Sequence, residues 1–202
     1  MKQGFLVVLF AFSIGAYAHT SPEFLQKKKK SAFSQGQLTA HLGTGLIVPV
    51  NYGDYDYSIY GKNEFKKKLP FNFIADYGIT DFLSAGLFVG FYGQDVTITD
   101  NTNPNNIYGF NNKFKVFGLE ASYHQNIDID NIDPYATLTI GYNSCKAKSF
   151  GTLNYLDPYK GGLAWALHAG AHYYFTDNIG AYLEGGYGKW IPVINLGVAA
   201  KF

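Results

Sequence analysis

From Gln37 to the C terminus, apolar and polar residues alternate along the chain with a period of two. In the last segment, every second residue from Ile194 to Phe202 is apolar, whereas the residues between them are polar or small. Successive side chains of a β-strand point to opposite faces, so this alternation predicts strands with one apolar and one polar face. Eight such segments can be separated, each close to the roughly 9 to 11 residues that a tilted strand uses to cross a bilayer.

The chemistry of the two faces indicates lipid, rather than water, outside the predicted strands. One face holds Leu, Ile, Val, Ala, Phe and Tyr, and the other collects Gly, Ser, Thr, Asn, His and the mid-strand carboxylates. A soluble barrel would turn its large apolar residues inward and place Lys and Glu outside. The terminal strand must also pair its edge. Closing it against the first strand predicts an all-β fold, an eight-stranded antiparallel up-and-down transmembrane β-barrel.

The connections between the predicted strands alternate in length, which assigns each end of the barrel to one side of a membrane. The shorter ones follow strands two, four and six, at Gly78–Asp81, Gln125–Asp133 and Thr176–Asn178. The longer ones follow strands one, three and five, at Asn51–Lys67, Gly93–Asn112 and Lys146–Gly162. Outer-membrane barrels keep short turns in the periplasm and long loops outside, so both chain termini are predicted to be periplasmic. The connection around Gly188–Pro192 is an exception, because it is predicted to lie outside but is brief.

The N-terminal region predicts export of the chain. Lys2, the apolar run Phe5–Ile14 and the small-residue site Ala16-Tyr17-Ala18 have the order of a secretory signal peptide. We therefore predict a signal peptide at residues 1–18, a solvated periplasmic tail at 19–35 and the barrel at 36–202. The tail prediction depends on the charged run Lys27–Lys30, which has no apolar period.

The amino-acid composition narrows the range of possible functions. The 202 residues include 23 Gly, 17 Tyr and 17 Phe, and 15% are charged, against about a quarter in typical globular chains. The formal net charge of +1 gives no sign of nucleic-acid binding. Cys145 is the one cysteine, which excludes an intramolecular disulfide.

The pattern resembles the small outer-membrane barrels of the OmpA, OmpX and opacity-protein type. The resemblance covers residues 36–202 and includes the turns Thr80-Asp81 and Thr176-Asp177 and the terminal Val198-Ala-Ala-Lys-Phe202. It implies residence in the outer membrane, contact with its lipids and lipopolysaccharide, and insertion by the barrel-assembly machinery. In this family the C-terminal residues carry the assembly signal, which implies that role for Val198 and Phe202. We expect a monomer.

Ionisable residues on the polar parity are predicted to form a polar network in the lumen. The predicted members are Glu120, His168, His172, Glu184 and Lys201. An eight-stranded barrel has room only for side chains, so a structural network is favoured over a proton relay or an acid/base pair. His168 and His172 are roughly 13 Å apart at ~3.3 Å per residue, which argues against a shared metal. No cofactor is predicted.

An enzyme of the lipid A-modifying type is a minor alternative. Ser122, His124 and Glu120 lie at alternate positions of one strand, as a nucleophile, a base and an acid could. Their parity turns them inward, away from acyl chains, which disfavours this role.

The long loops are rich in Tyr and Asn, residue types that are common in binding loops. The predicted contact residues for an unidentified extracellular ligand are Tyr55, Tyr57, Tyr60, Tyr108, Tyr155 and Tyr159. The favoured function is a non-enzymatic outer-membrane barrel that is structural or interacts through these loops. One alternative is a narrow conduit for small hydrophobic molecules, with a lateral opening permitted by Gly43-Thr44-Gly45. Another is a soluble secreted lipocalin-like carrier with its apolar face inward.

Overall fold

A computed structural model describes residues 32–48, 61–127, 129, 131–151 and 161–202. These residues form eight antiparallel strands, and β8 pairs with β1 to close a barrel. The strands are β1 Leu38–Gly45, β2 Gly61–Gly78, β3 Leu83–Asp100, β4 Ile107–His124, β5 Ile132–Phe150, β6 Gly162–Tyr174, β7 Ile179–Lys189 and β8 Ile194–Lys201. The predicted fold class is confirmed. The predicted signal peptide lies outside the described residues.

Pairing of the first and last strands removes both free edges of the sheet. Leu42 pairs with Val198 in the middle of this seam. At its end, the Phe202 N–H donates to the Leu38 carbonyl at 2.8 Å, and the Leu38 N–H donates to the Phe202 carbonyl at 3.2 Å. Both residues proposed as the assembly signal, Val198 and Phe202, are exposed on the outer surface.

The outward face of the barrel is apolar, as the alternation predicts. Leu87, Leu119, Ile140 and Leu183 are each more than half exposed. A continuous apolar exterior of this kind requires an apolar solvent. It is the reverse of the arrangement expected for the lipocalin-like carrier. In the described part of the chain, no helix is long and apolar enough to cross a membrane.

Strand lengths differ around the barrel. Strands β2 to β5 have 18 or 19 residues, whereas β1 and β8 have 8. The prediction of a loop at Gly93–Asn112 is therefore wrong for most of its length, because β3 and β4 continue to a connection at residues 101–106. Strand also occupies 61–67 and 146–150 of the other two predicted loops. Alternation continues through this region, and its inward members form a small buried cluster, Val96, Ile98, Tyr108 and Phe110.

We call the end of the barrel that holds Leu38 and Phe202 the turn end, and the opposite end the loop end. Hydroxyl groups close two hairpins at the turn end, because Thr80 and Thr176 accept hydrogen bonds from the N–H groups of Leu83 and Ile179, each at 3.0 Å. At the loop end, Asp100 accepts from the N–H and the hydroxyl of Thr102, which lowers the pKa of the Asp100 carboxyl.

The brief β7–β8 connection folds into the barrel. Ile191 is fully buried, and Trp190 is buried with a positive φ of 67°. A left-handed backbone is costly for a bulky residue, so tertiary contacts must hold it. The Tyr92 hydroxyl donates to the Trp190 carbonyl at 3.4 Å. This inward turn explains why the connection is short.

Residues 32–37, which precede β1, lie at the turn end. The Phe33 ring stacks on the His124 ring, with centroids 3.6 Å apart and planes 4° apart. Ala32 is also buried, and its carbonyl accepts a hydrogen bond from Lys201 Nζ at 2.9 Å. The last residues of the segment that we predicted as a solvated tail therefore cover the lumen.

Candidate functional site

The barrel interior has two regions. The lower lumen, toward the turn end, is polar and is lined by His41, Asp76, Glu120, His124, Asp133, Tyr135, His168, His172, Tyr182 and Glu184. The upper lumen, toward the loop end, is apolar and is lined by Val48, Phe88, Tyr92, Phe114, Val116, Ala164, Ala166, Trp190 and Ile191. The alternation correctly predicts the polar side chains of the lower half, whereas the upper half is mostly apolar with a few buried amides such as Gln94.

Glu184 is the centre of one lower-lumen network. Its carboxylate accepts hydrogen bonds from the Tyr135 hydroxyl at 3.0 Å and from Asn195 Nδ2 at 2.8 Å. His168 Nδ1 lies 3.6 Å from the same carboxylate, and its Nε2 lies 2.8 Å from the Pro192 carbonyl of the inward turn. The network therefore links β5, β6, β7 and β8 to the turn that fills the upper lumen.

Asn72 extends this network across the barrel. Its Nδ2 donates to Asn195 Oδ1 at 2.8 Å, and its Oδ1 accepts from the Tyr182 hydroxyl at 2.9 Å. The Tyr182 hydroxyl lies against Gly43, where any Cβ would clash with it. Gly43 therefore provides space for a lumen side chain.

Asp133 is the centre of a second network. Its carboxylate lies 3.0 Å from Nδ1 of His124 and 3.0 Å from Nδ1 of His172. His172 Nε2 is 3.0 Å from His41 Nε2, and His41 Nδ1 is 3.9 Å from the Asp76 carboxylate. Three histidines from β1, β4 and β6 are thus joined near the turn end.

One arm of the Asp133 network has the order of a catalytic triad. The Ser84 hydroxyl lies 3.0 Å from His124 Nε2, and His124 Nδ1 lies 3.0 Å from Asp133. A nucleophile, a base and an orienting acid require this sequence of contacts. All three side chains are buried, and Phe33 covers His124. In this arrangement the described residues around Ser84 leave it only 3% exposed.

The sequence-predicted network residues are all in the lower lumen or at its end. Glu120 accepts from the Thr139 hydroxyl at 2.8 Å. Lys201 lies at the turn end, where its Nζ is 3.9 Å from the centroid of Tyr174. Ser122, the predicted partner of His124 in the enzyme alternative, instead donates to Thr137 Oγ1 at 2.8 Å.

Sequence reasoning missed several members of the networks, namely His41, Asp76, Ser84, Asp133 and Tyr135. His41, Asp76 and Ser84 lie on the polar parity of predicted strands, so the alternation could have identified them. Asp133 was assigned to a turn, whereas β5 begins at Ile132. Among the described residues, no group of three or more His, Cys, Asp or Glu side chains is arranged to hold a metal ion.

Aromatic rings fill the upper lumen. The rings of Tyr92 and Phe114 stack with centroids 4.7 Å apart, and the Trp190 ring lies 5.5 Å from that of Phe114. Beside them, Gln94 is buried and neither of its side-chain amide atoms has a hydrogen-bond partner among the described residues.

A small cavity of about 160 Å³ opens between β1 and β2 at the level of the upper lumen. Leu46, Val48, Pro70, Tyr92 and Gln94 contribute to its lining. The sequence hypothesis placed a lateral opening at Gly43-Thr44-Gly45, but Gly43 and Thr44 are paired on both sides, to β2 and to β8, and Gly45 is paired to β8. The described pairing of β1 with β2 ends at Thr44, whereas β2 continues toward the loop end.

The predicted loop contacts divide into two groups. Tyr55, Tyr57, Tyr60, Tyr155 and Tyr159 lie outside the described residues. Tyr108 lies within β4 and is 3% exposed, in the cluster with Val96, Ile98 and Phe110. Its prediction as an exposed loop contact is therefore wrong, because the strand continues through the expected loop.

Comparisons with known proteins give a likeness of fold. No family model matches the chain, and no curated protein sequence matches it. Outer membrane protein OprG from Pseudomonas aeruginosa matches with a TM-score of 0.57 and 11% identity, over 84% of this chain and 97% of that one. E. coli outer membrane protein W matches with a TM-score of 0.45 and 12% identity, over 84% and 99%. Ail from Yersinia pestis matches with a TM-score of 0.43 and 15% identity, over 83% and 99%.

Proposed function

We propose that this chain, which has the fold of the small eight-stranded outer-membrane β-barrels, is a non-enzymatic outer-membrane protein that acts at the cell surface. The observation that carries the proposal is the contrast between a filled lumen and a tall sheet at the loop end. Two hydrogen-bonded networks, the inward turn and Phe33 occupy the lumen. Strands β2 to β5 extend beyond the shorter strands at the loop end.

The apolar exterior supports membrane insertion. A barrel that is folded in a membrane resists detergent at room temperature, so its electrophoretic mobility changes on boiling. We expect the protein in the outer-membrane fraction, with a mobility shift between unheated and boiled samples. Recovery in the soluble fraction without any shift would contradict membrane insertion.

Site-specific labelling tests which end faces the outside. Asn103 lies in the β3–β4 connection, and Asp177 lies in the β6–β7 turn at the opposite end; both are exposed. In a Cys145→Ser background, we expect a membrane-impermeant maleimide to label Asn103→Cys on intact cells. Asp177→Cys should be labelled only after lysis. Equal labelling of both on intact cells, or labelling of Asp177→Cys alone, would contradict the proposed orientation.

A conduit for small hydrophobic molecules is the second candidate, and the cavity between β1 and β2 favours it. The cavity joins the outer surface at Leu46 to the upper lumen at Val48 and Tyr92. A lateral path would deliver molecules to the membrane without crossing the polar lower lumen. Val48→Trp, which fills this cavity, should reduce uptake of a hydrophobic dye by cells that express the protein. Unchanged uptake in that variant would reject the conduit.

A further inference from the structure

Lysines are concentrated on the outward face of the tall sheet. The pairing of β2 to β5 places seven lysines and two carboxylates on this face: Lys62, Lys66, Lys68, Lys113, Lys115, Lys146 and Lys148, with Glu64 and Asp95. We call these residues the lysine face. Toward the turn end, the lysine face continues into the apolar exterior of the barrel.

The strand register brings the ammonium groups together. Lys68 is opposite Gly93, Gly93 is opposite Lys113, and Lys113 is opposite Lys146, so one row crosses four strands. Like charges on directly opposite residues destabilise a sheet. An anion bound between Lys113 and Lys146 would relieve the repulsion between their ammonium groups.

Among the described residues, the charges in this row are only partly compensated. Lys68 Nζ forms an ion pair with Asp95 Oδ1 at 3.2 Å. Within the described part of the chain, no ion pair joins Lys113 or Lys146 to a carboxylate. A groove of about 340 Å³ lies between them, lined by Lys68, Lys113, Lys146, Lys148 and Asn111.

The lysine face begins where the apolar band ends. Lys115 is opposite Phe91, and its Nζ lies 6.0 Å from the centroid of the Phe91 ring. Phe91 and Phe117 are both exposed on the outside of the barrel. Phe117 lies two residues along β4 from Lys115. Aromatic residues mark the interface of a membrane barrel, and lysines beyond them lie at the height of lipid head groups.

We propose that the groove between Lys68, Lys113 and Lys146 binds the phosphate groups of a phosphorylated glycolipid in the outer leaflet. The inference rests on the proposed membrane insertion. Ammonium groups donate charge-assisted hydrogen bonds to phosphate oxygens. The groove faces the same side as the residues that would contact acyl chains, so one lipid can meet both surfaces. A soluble polyanion would more readily meet the tip of the sheet, but the connection at 101–106 contains no lysine.

Lipid binding by the folded barrel tests this site. Native mass spectrometry in detergent would measure the dissociation constant for lipid A with two phosphates and for the same lipid after removal of its phosphates. The test variant is Lys113→Gln with Lys146→Gln. The matched control is Lys67→Gln with Lys189→Gln, which removes two charges from exposed positions outside the lysine face and the groove.

We expect the unmodified protein to bind the phosphorylated lipid roughly tenfold more tightly than the dephosphorylated one. The test variant should lose about that factor in affinity for the phosphorylated lipid, since each lysine near a membrane surface contributes measurably to anion binding. The control should stay within about twofold of the unmodified protein. Equal losses in both variants, no preference for phosphate, or binding of soluble heparin in place of lipid A would each overturn the proposal. Unboiled electrophoresis of every variant reports barrel formation separately, so a failure of membrane folding is distinguishable from a failure of lipid binding.

Discussion

The lower and upper lumen differ in how their side chains are held. In the lower lumen, Glu184 and Asp133 each hold several partners at hydrogen-bond distance. In the upper lumen, rings such as Tyr92 and Phe114 pack by contact of apolar surfaces. A buried hydrogen bond depends on direction and is costly when one partner is lost, whereas apolar packing tolerates changes of shape. The lower lumen should therefore be the more sensitive to small chemical changes.

Removal of the Glu184 carboxylate should have the largest effect. Glu184→Leu leaves the Tyr135 hydroxyl, Asn195 Nδ2 and His168 without their shared acceptor. We expect a loss of about 3 kcal/mol in the free energy of unfolding, as for the loss of one partner from a buried polar cluster. Urea titration of the protein in lipid vesicles measures it. Glu64→Leu, at an exposed site on β2, is the matched control, and an equal loss there would remove the contrast.

Adding a methyl group at Gly43 should have the second-largest effect on the free energy of unfolding. Gly43→Ala places a Cβ against the Tyr182 hydroxyl and the Leu196 carbonyl, so Tyr182 must leave Asn72. We expect a loss of about 2 kcal/mol from overpacking. The same titration measures it. Gly162→Ala is the control because no atom lies within 4 Å of the added carbon; comparable losses in the two variants would contradict the role of Gly43.

A change of side-chain shape in the upper lumen should have a smaller effect on the free energy of unfolding. Phe114→Leu keeps an apolar side chain beside Tyr92 and Trp190 while removing the ring stack. We expect a loss of about 1 kcal/mol, because apolar replacements near the original size are tolerated in cores. Phe117→Leu, three residues along β4 and exposed to the outside, is the control. A loss in Phe114→Leu larger than in Glu184→Leu would reverse the comparison between the two regions.

Removal of the Phe33 ring should change the access of solvent to His124 more than the stability of the barrel. Phe33→Ala uncovers His124, whose ring it stacks on. We expect faster modification of His124 by diethyl pyrocarbonate, measured by peptide mass spectrometry. His172 is the internal control, because it is buried by Tyr135 and Tyr174 as well as by its hydrogen bonds. An unchanged rate at His124 would show that Phe33 does not close the turn end.

Several features could be predicted from local patterns in the sequence. The alternation identified the eight strands, and the Thr-Asp turns marked two hairpins whose threonine hydroxyls cap the chain reversal. The tall part of β3 and β4 was mistaken for a loop, because its Asn and Asp content masked the alternating Val96, Ile98, Tyr108 and Phe110. The lumen network and the neighbourhood of His168 and Glu184 were expected from parity and hairpin geometry, whereas most other contacts of the network were not.

The sequence by itself determined the facing of most strand residues, because side-chain direction in a regular strand depends on parity. The irregularity in β2 between Lys68 and Phe71 is an exception, since it turns Lys68 outward although parity groups it with the inward Asn72 and Asp76.

Tertiary structure decided which inward residues meet. His41, His124 and His172 come from three strands far apart in the chain. Asp133 on β5 joins His124 and His172 through the neighbouring strands β4 and β6, whereas His41 on β1 meets His172 only after the barrel has closed. It also decided that the turn at Trp190 fills the upper lumen, since a local sequence does not specify the cavity into which a turn can fold.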